Sequence, residues 1–292
     1  MFEGFTKEVR DVSATSVCFR KGGKGPGLLL LHGHPQTHVL WHKVAPDLAR
    51  HFTVVAADLR GYGDSGKPDP DPEHLVYSKR EMSKDLVELM TSLGFDEFIV
   101  LAHDRGARVA HRLGMDHGGR VKRMVLLDIA PTLDMYAKTD LAFAKQYWHW
   151  FYLILPAPLP ELTLQNNPDC YMRTVMGRRS AGMAPFTEEA LAEYVRCLAL
   201  PGTARGICED YRASATIDLV HDQEDRDAGR KLEMPVLALW GGNGVVGKLL
   251  DPLEAWRNVA GKVDGGALDC GHYIAEEAPG LLLERALPFL KG

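Results

Sequence analysis

Three residues of complementary chemistry stand far apart in this 292-residue chain, in the order carboxylate, carboxylate, imidazole: Asp104, Asp128 and His272. Asp104 lies in Ala102-His103-Asp104-Arg105-Gly106, between an apolar run and a helix-like run, with a small residue two positions to either side. That pattern fits a sharp strand-to-helix turn that lifts a nucleophile above a sheet, where larger neighbours would collide. The plain alternative is an aspartate capping the following helix. Asp128 closes the run Val121–Leu127, and His272 follows a weak strand in Cys270-Gly271-His272-Tyr273. The usual other place for the acid, after Val236–Trp240, holds Gly241, Gly242 and Asn243, which leaves Asp128 as the acid and Asp251 a distant second. His32-Gly33-His34-Pro35 offers a loop whose His34 N–H would join that of Arg105 in an oxyanion hole.

An aspartate nucleophile narrows the reaction. A serine that attacked an sp³ carbon would end as a stable ether. A carboxylate forms an ester, whose carbonyl water can attack with a histidine as base. The target is therefore an alkyl halide or an epoxide rather than an ordinary ester. Arg105 and Arg108 stand one helical turn apart and can grip a small carboxylate through charge-assisted bonds worth about 1.5–3 kcal/mol each. They also offset its repulsion from Asp104 and keep Asp104 ionised. A solvated helix face is the plain reading of the same pair.

Strand-like and helix-like segments alternate around these residues. Leu28–Leu31, Phe52–Ala57, Phe98–Ala102 and Val121–Leu127 are short apolar runs of the kind buried on both faces of a parallel sheet. Ser78-Lys79-Arg80-Glu81 is a capping box ahead of Met82, Leu86, Leu89 and Leu93, with Gly94 as the stop, and a second helix runs from about Arg105 to Leu113. From Pro131 to roughly Asp225 the texture is aromatic and helical, as in Leu141–Trp150 and Thr187-capped Glu188–Leu198, with no convincing strand. Strands resume at Pro235–Trp240 and near Gly266–Leu268, and a last helix runs from about Pro279 to Leu287, where Pro288 marks an end or a kink. The expectation is an α/β fold: a mostly parallel sheet flanked by helices, with residues 1–130 and 226–292 as core and 131–225 as a helical cap over the sheet's carboxyl edge.

Composition excludes other classes. The chain has 34 Lys and Arg against 39 Asp and Glu, a formal charge of −5, with 46% apolar and 25% charged residues. This is ordinary soluble usage and gives no electrostatic reason to expect nucleic acid or an anionic membrane as partner. No apolar stretch approaches the roughly 20 residues of a membrane span. Five scattered cysteines without a CxxC pair indicate neither a disulfide framework nor a zinc site, and a reduced, cytoplasmic setting is expected. Gly61-Tyr62-Gly63-Asp64-Ser65-Gly66 matches GxGxxG, but Lys67-Pro68-Asp69-Pro70 cannot open the helix that would hold a pyrophosphate. Gly242–Gly247-Lys248 nearly matches a P-loop, but Leu249 stands where a Ser or Thr must bind Mg²⁺. Both read as loop glycines.

The order nucleophile, acid, histidine is that of α/β-hydrolases, and the chain resembles a fluoroacetate (haloacetate) dehalogenase of that superfamily. The resemblance covers nearly the whole length, through LLHGHPQTHVLWHKVAPDLA, FTVVAADLRGYGDSGKP, LAHDRGARVAHRL, VLLDIAPT, YWHWFYL, CEDYRASATIDL, LALWGGNGVVGKLLDP and CGHYIAEEAP. The first two and the last segment are general to the superfamily. The Asp-Arg-Gly-x-Arg stretch, the lid His-Trp pair and the lid tyrosine are more specific. The resemblance implies Asp104 as nucleophile, Asp128 and His272 completing a triad, Arg105 and Arg108 as carboxylate clamps, and His149, Trp150 and Tyr211 as a halide pocket. It implies no metal or organic cofactor, a small haloacid substrate and a homodimer. One departure stands out: His34 occupies a position that is commonly Phe in this family, which keeps the backbone donor but adds an imidazole near Asp104. Two rivals remain, an epoxide hydrolase sharing the Asp nucleophile and a non-catalytic ligand-binding protein on the same fold.

Overall fold

A computed structural model describes residues 1–179 and 181–292. Its strands are β1 (Thr6–Val12), β2 (Thr15–Gly22), β3 (Gly27–Leu31), β4 (Thr53–Ala57), β5 (Phe98–His103), β6 (Val121–Leu127), β7 (Val236–Gly241) and β8 (Val263–Leu268). They form one eight-stranded sheet in the order β1-β2-β4-β3-β5-β6-β7-β8. β1 pairs antiparallel with β2 and β2 antiparallel with β4. The remaining neighbours are parallel.

The apolar runs become the central strands because helices cover both faces; every residue of β3 and β5 is buried. The hairpin β1–β2 is not visible in the hydrophobic pattern. β1 reads TKEVRDV and buries no residue fully, as an edge strand with one wet face does. The helix after the capping box spans Lys79–Ser92, with Ser78 accepting from the Glu81 N–H.

Among the described residues, every element between β6 and β7 is a helix, from Thr132–Ala137 to Ile217–Asp227. Two details differ from the sequence expectation. The stretch Leu141–Trp150 splits into helices Leu141–Gln146 and Trp148–Leu153. Tyr147 leaves the helix between them, and its buried ring packs against Phe143 and Trp150 at centroid distances of 4.8 and 4.7 Å. Burial of the aromatic cluster outweighs helix continuity. The last helix runs on through Pro288 to Lys291, because Leu290 beyond the proline is buried in the core.

The strand register sets the site. His103 of β5 lies beside Leu127 of β6, Leu127 beside Leu239 of β7, and Gly241 beside Leu268 of β8. The carboxyl ends of four parallel strands are thus level, and the residues that follow them meet at one edge.

Candidate active site

β5 ends at His103 and the helix Asp104–Asp116 begins at the next residue. The turn holds Asp104 in the left-handed region at φ 47°, a conformation that costs about 1–3 kcal/mol for a non-glycine residue. The surroundings enforce it. A Cβ on Gly106 would stand 2.3 Å from the His32 carbonyl oxygen, and one on Gly33 would stand 2.4 Å from the Asp104 Cβ. Asp104 is no helix cap: it lies inside the helix, and its Oδ1 accepts the His34 N–H at 2.9 Å. Arg105 is the second helical residue, so its N–H has no acceptor within the helix. One carboxylate oxygen is therefore held by the His34 N–H and the other is left to react. Burial works to raise the Asp104 pKa, but His272, His103, Arg105 and the His34 N–H outweigh it and hold the carboxyl well below the usual range. Asp104 is an anion at neutral pH.

Asp128 follows β6 directly and is also left-handed at φ 47°. Its Oδ2 lies 2.6 Å from His272 Nδ1, and its Oδ1 accepts the Gly241 N–H at 2.9 Å. Nδ1–H thus donates to Asp128, which leaves Nε2 as the basic nitrogen. β7 ends in glycine because a Cβ on Gly241 would stand 2.1 Å from the Gly271 carbonyl oxygen, beside His272. His103 Nε2 lies 2.9 Å from the His272 carbonyl and anchors that loop to the elbow, a role without a sequence signature. Asp251 serves elsewhere, capping the helix Pro252–Val259 through the N–H groups of Leu253 and Glu254.

The two arginines are buried but not equivalent. Arg105 donates from Nε to Asp210 Oδ2 at 2.8 Å and from Nη2 to the Asp210 carbonyl and Ser214 Oγ, each at 2.6 Å. Asp210 also accepts from Tyr62 at 2.7 Å and from Lys79. Among the described residues, Nη1 of Arg105 has no partner. Arg108 has no partner at Nε, Nη1 or Nη2 among the described residues. Its guanidinium lies over the Trp150 ring, 4.6 Å from the centroid. Burial, then the charge of Arg105, lowers its pKa. An uncompensated buried cation costs several kcal/mol, so the fold carries it at a loss unless an anion joins it.

The cap supplies the rest. His149 and Trp150 come from the helix Trp148–Leu153 and Tyr211 from the helix Thr203–Ser214. The rings of His149 and Tyr211 lie 6.0 Å apart, and Tyr211 carries the Arg105 guanidinium 3.9 Å from its centroid. Burial, then Arg179, pushes the His149 pKa well below its usual value, and burial raises that of Tyr211. Both are neutral and able to donate, as the Trp150 indole is. His34 joins them: its ring lies 5.2 Å from Tyr211 and 6.0 Å from His149, and its Nε2 is 3.0 Å from the Tyr171 hydroxyl. Burial lowers its pKa to about 3, so the imidazole brings no second positive charge beside Asp104 at neutral pH.

The family model described as alpha/beta hydrolase fold matches residues 26–180. The chain belongs to the α/β-hydrolase family. It is 41% identical over 280 residues to a fluoroacetate dehalogenase from Burkholderia sp, covering 96% of this chain and 91% of that one. A soluble epoxide hydrolase from Corynebacterium sp. is 36% identical over 271 residues, 91% of each chain. Among solved structures, a variant from Pseudomonas aeruginosa described as an epoxide hydrolase with bound MFA superposes with a TM-score of 0.94 at 41% identity, over 100% of this chain and 97% of that one.

The α/β-hydrolase frame also accounts for the glycine loops. Gly61–Gly66 forms a turn, not a helix start, and its Gly63 is packed so closely on the Asp58 carboxylate that a Cβ would stand 2.1 Å from it. Asp64, Glu193 and Cys197 have metal-ligand spacing, but the carboxylates already hold Lys7 and Arg196. No helix of the described residues is long and apolar enough to cross a membrane. Asp210, Lys79, Tyr171 and His103 are the site residues that the sequence did not single out. The first lies beside Tyr211 in CEDYRASATIDL, where an acid next to a basic elbow was the available signal.

Proposed function

We propose that this α/β-hydrolase removes halide from haloacetates such as fluoroacetate and chloroacetate, giving glycolate. The buried Arg108, without a hydrogen-bond partner among the described residues and within electrostatic reach of the buried Asp104, carries this reading. A small carboxylate satisfies that cation, with Nη1 of Arg105 as a second donor, and sets the α-carbon before Asp104. The oxygen of Asp104 not held by His34 attacks the α-carbon, the carbon–halogen bond breaks, and halide leaves with the bonding pair. His149, Trp150 and Tyr211 meet the charge that develops on it. In the second half, His272 Nε2 takes a proton from water, and the hydroxide attacks the Asp104 carbonyl carbon. The His34 and Arg105 N–H groups stabilise the oxyanion. Collapse releases glycolate, which takes the proton from His272. The Asp104 carboxyl, acidic in this environment, sheds the remaining proton to solvent.

Both protein-chemical steps pass through Asp104, and single turnover in ¹⁸O-water tests them. The label is expected in the Asp104 carboxylate; label found only in glycolate rejects the ester. The epoxide hydrolase reading shares this label and is favoured by the Corynebacterium and Pseudomonas relatives. A neutral epoxide has no use for an unpaired buried cation, so halide release from chloroacetate against ring opening of a simple epoxide separates the two.

A further inference from the structure

A cleft of about 800 Å³ opens between cap and core and reaches His272. Its cap side carries Lys145, Arg178 and Arg179, and its core side carries Lys248; among the described residues no Asp or Glu lines it. Arg60, Arg112, Arg196 and Arg212, by contrast, each hold a carboxylate. The cleft thus gathers four cations that hold no carboxylate among the described residues, in a chain whose overall charge is −5. Lys248 is the lysine of the P-loop-like stretch. It stands in the short helix Val246–Leu249 with Nζ 3.2 Å from the Asn243 carbonyl.

Arg179 lies deepest of the four. Its guanidinium stands 5.3 Å from the centroid of Tyr147, whose ring packs against His149 and Trp150 at 6.1 and 4.7 Å. One aromatic side chain thus separates Arg179 from the halide trio, and the charges of Asp104 and Asp128 act on it. These two anions repel an incoming carboxylate. Cations in a cleft with low-dielectric walls focus the field and reverse that repulsion over roughly a Debye length, about 8–10 Å.

We propose that this cleft is an electrostatic mouth for small carboxylate anions, with Lys145, Arg178 and Lys248 as a rim that gathers them and Arg179 as the station that passes them to Arg108. The inference rests on the haloacetate reading and deepens it, since substrate and both products are anions on that reading. Exposed, hydrated cations hold an anion weakly enough for glycolate and halide to leave the same way.

The test compares the wild type with the triple variant Lys145→Gln, Arg178→Gln, Lys248→Gln, none of which touches the reacting atoms. Chloroacetate turnover is measured from about 10 to about 200 mM ionic strength, spanning Debye lengths of roughly 30 to 7 Å. The wild type is expected to lose kcat/KM about tenfold across that range, and the triple variant to start about tenfold lower with a flat salt dependence. Its kcat stays within about twofold. A triple variant that keeps both the wild-type kcat/KM and its salt slope overturns the mouth while leaving the dehalogenase reading intact. A wild type that releases no halide defeats the reading instead, and the mouth is then judged by tryptophan quenching at constant ionic strength. Iodide, relative to neutral acrylamide, should quench the wild type more than the triple variant; equal ratios overturn the proposal.

Discussion

The sheet side and the cap side of the site follow opposite physical plans. On the sheet side, Asp104 and Asp128 sit in strained left-handed turns, and each carboxylate has a backbone donor, His34 N–H for one and Gly241 N–H for the other. On the cap side, the backbone is ordinary helix and the work falls to neutral rings, His149, Trp150 and Tyr211. Reaction geometry is thus held by backbone and close-packed glycine, which tolerate little motion. On the proposed function, recognition of the leaving group falls to side chains on a separate helical layer. The same contrast recurs within one helix. Arg105 is tied into the Asp210–Lys79 cluster, whereas Arg108 faces the cap with its guanidinium unpartnered.

The sharpest way to break this comparison is to exchange the arginines' fates. Arg108→Met should cut chloroacetate turnover by roughly a thousandfold while raising the unfolding midpoint in urea, because it removes a buried cation that no carboxylate compensates. Arg105→Met leaves the buried Asp210 with Lys79 as its one remaining cation beside the Tyr62 hydroxyl and should cost about 3–5 kcal/mol of stability in the same titration. If both variants fall equally in stability and in activity, the division between a structural and a substrate-facing arginine is wrong. Arg108→Lys tests the fork itself: it keeps the charge but should still lose about a hundredfold, since an ammonium neither lies flat on Trp150 nor grips two oxygens.

A smaller effect sharpens the cap's side of the contrast. Trp150→Phe removes one donor worth about 1–1.5 kcal/mol. Fluoroacetate turnover should then fall about tenfold more than bromoacetate turnover, since fluoride gathers more charge as it leaves. Equal losses in a halide-release assay would assign Trp150 to packing alone.

A change in stability rather than in turnover is expected where cap and core meet. Glu276 is buried against Gln36 of the core and Tyr194 of the cap helix Glu188–Leu198. Burial, only partly offset by Tyr194, Lys43 and Gln36, raises its pKa to about 8. The folded state therefore binds this proton more tightly than the unfolded chain. Its contribution is whole below the ordinary Glu pKa, about 4.3, and is lost as pH climbs through 8. Urea titrations from pH 5 to 8.5 should show stability declining in the wild type and a flatter profile in Glu276→Gln. An equal decline in both would place the titrating group elsewhere.

Local sequence carried the sheet side of this site because sterics are local. A small residue on either side of Asp104, an apolar run before it and an amphipathic run after it admit few backbone paths, and Asp128 and His272 follow from apolar runs that end where polar residues begin. The parallel strands were legible for the same reason, whereas β1, with one wet face and no apolar run, was not. The tertiary structure alone decided which arginine is free. Arg105 and Arg108 stand three residues apart with the same chemistry, and only the approach of Asp210, from a helix more than a hundred residues later, neutralises one and leaves the other. It also decided the electrostatic character of the site, because His149 of the cap and His34 of the core become neutral through burial, and burial belongs to the packed molecule rather than to the residue.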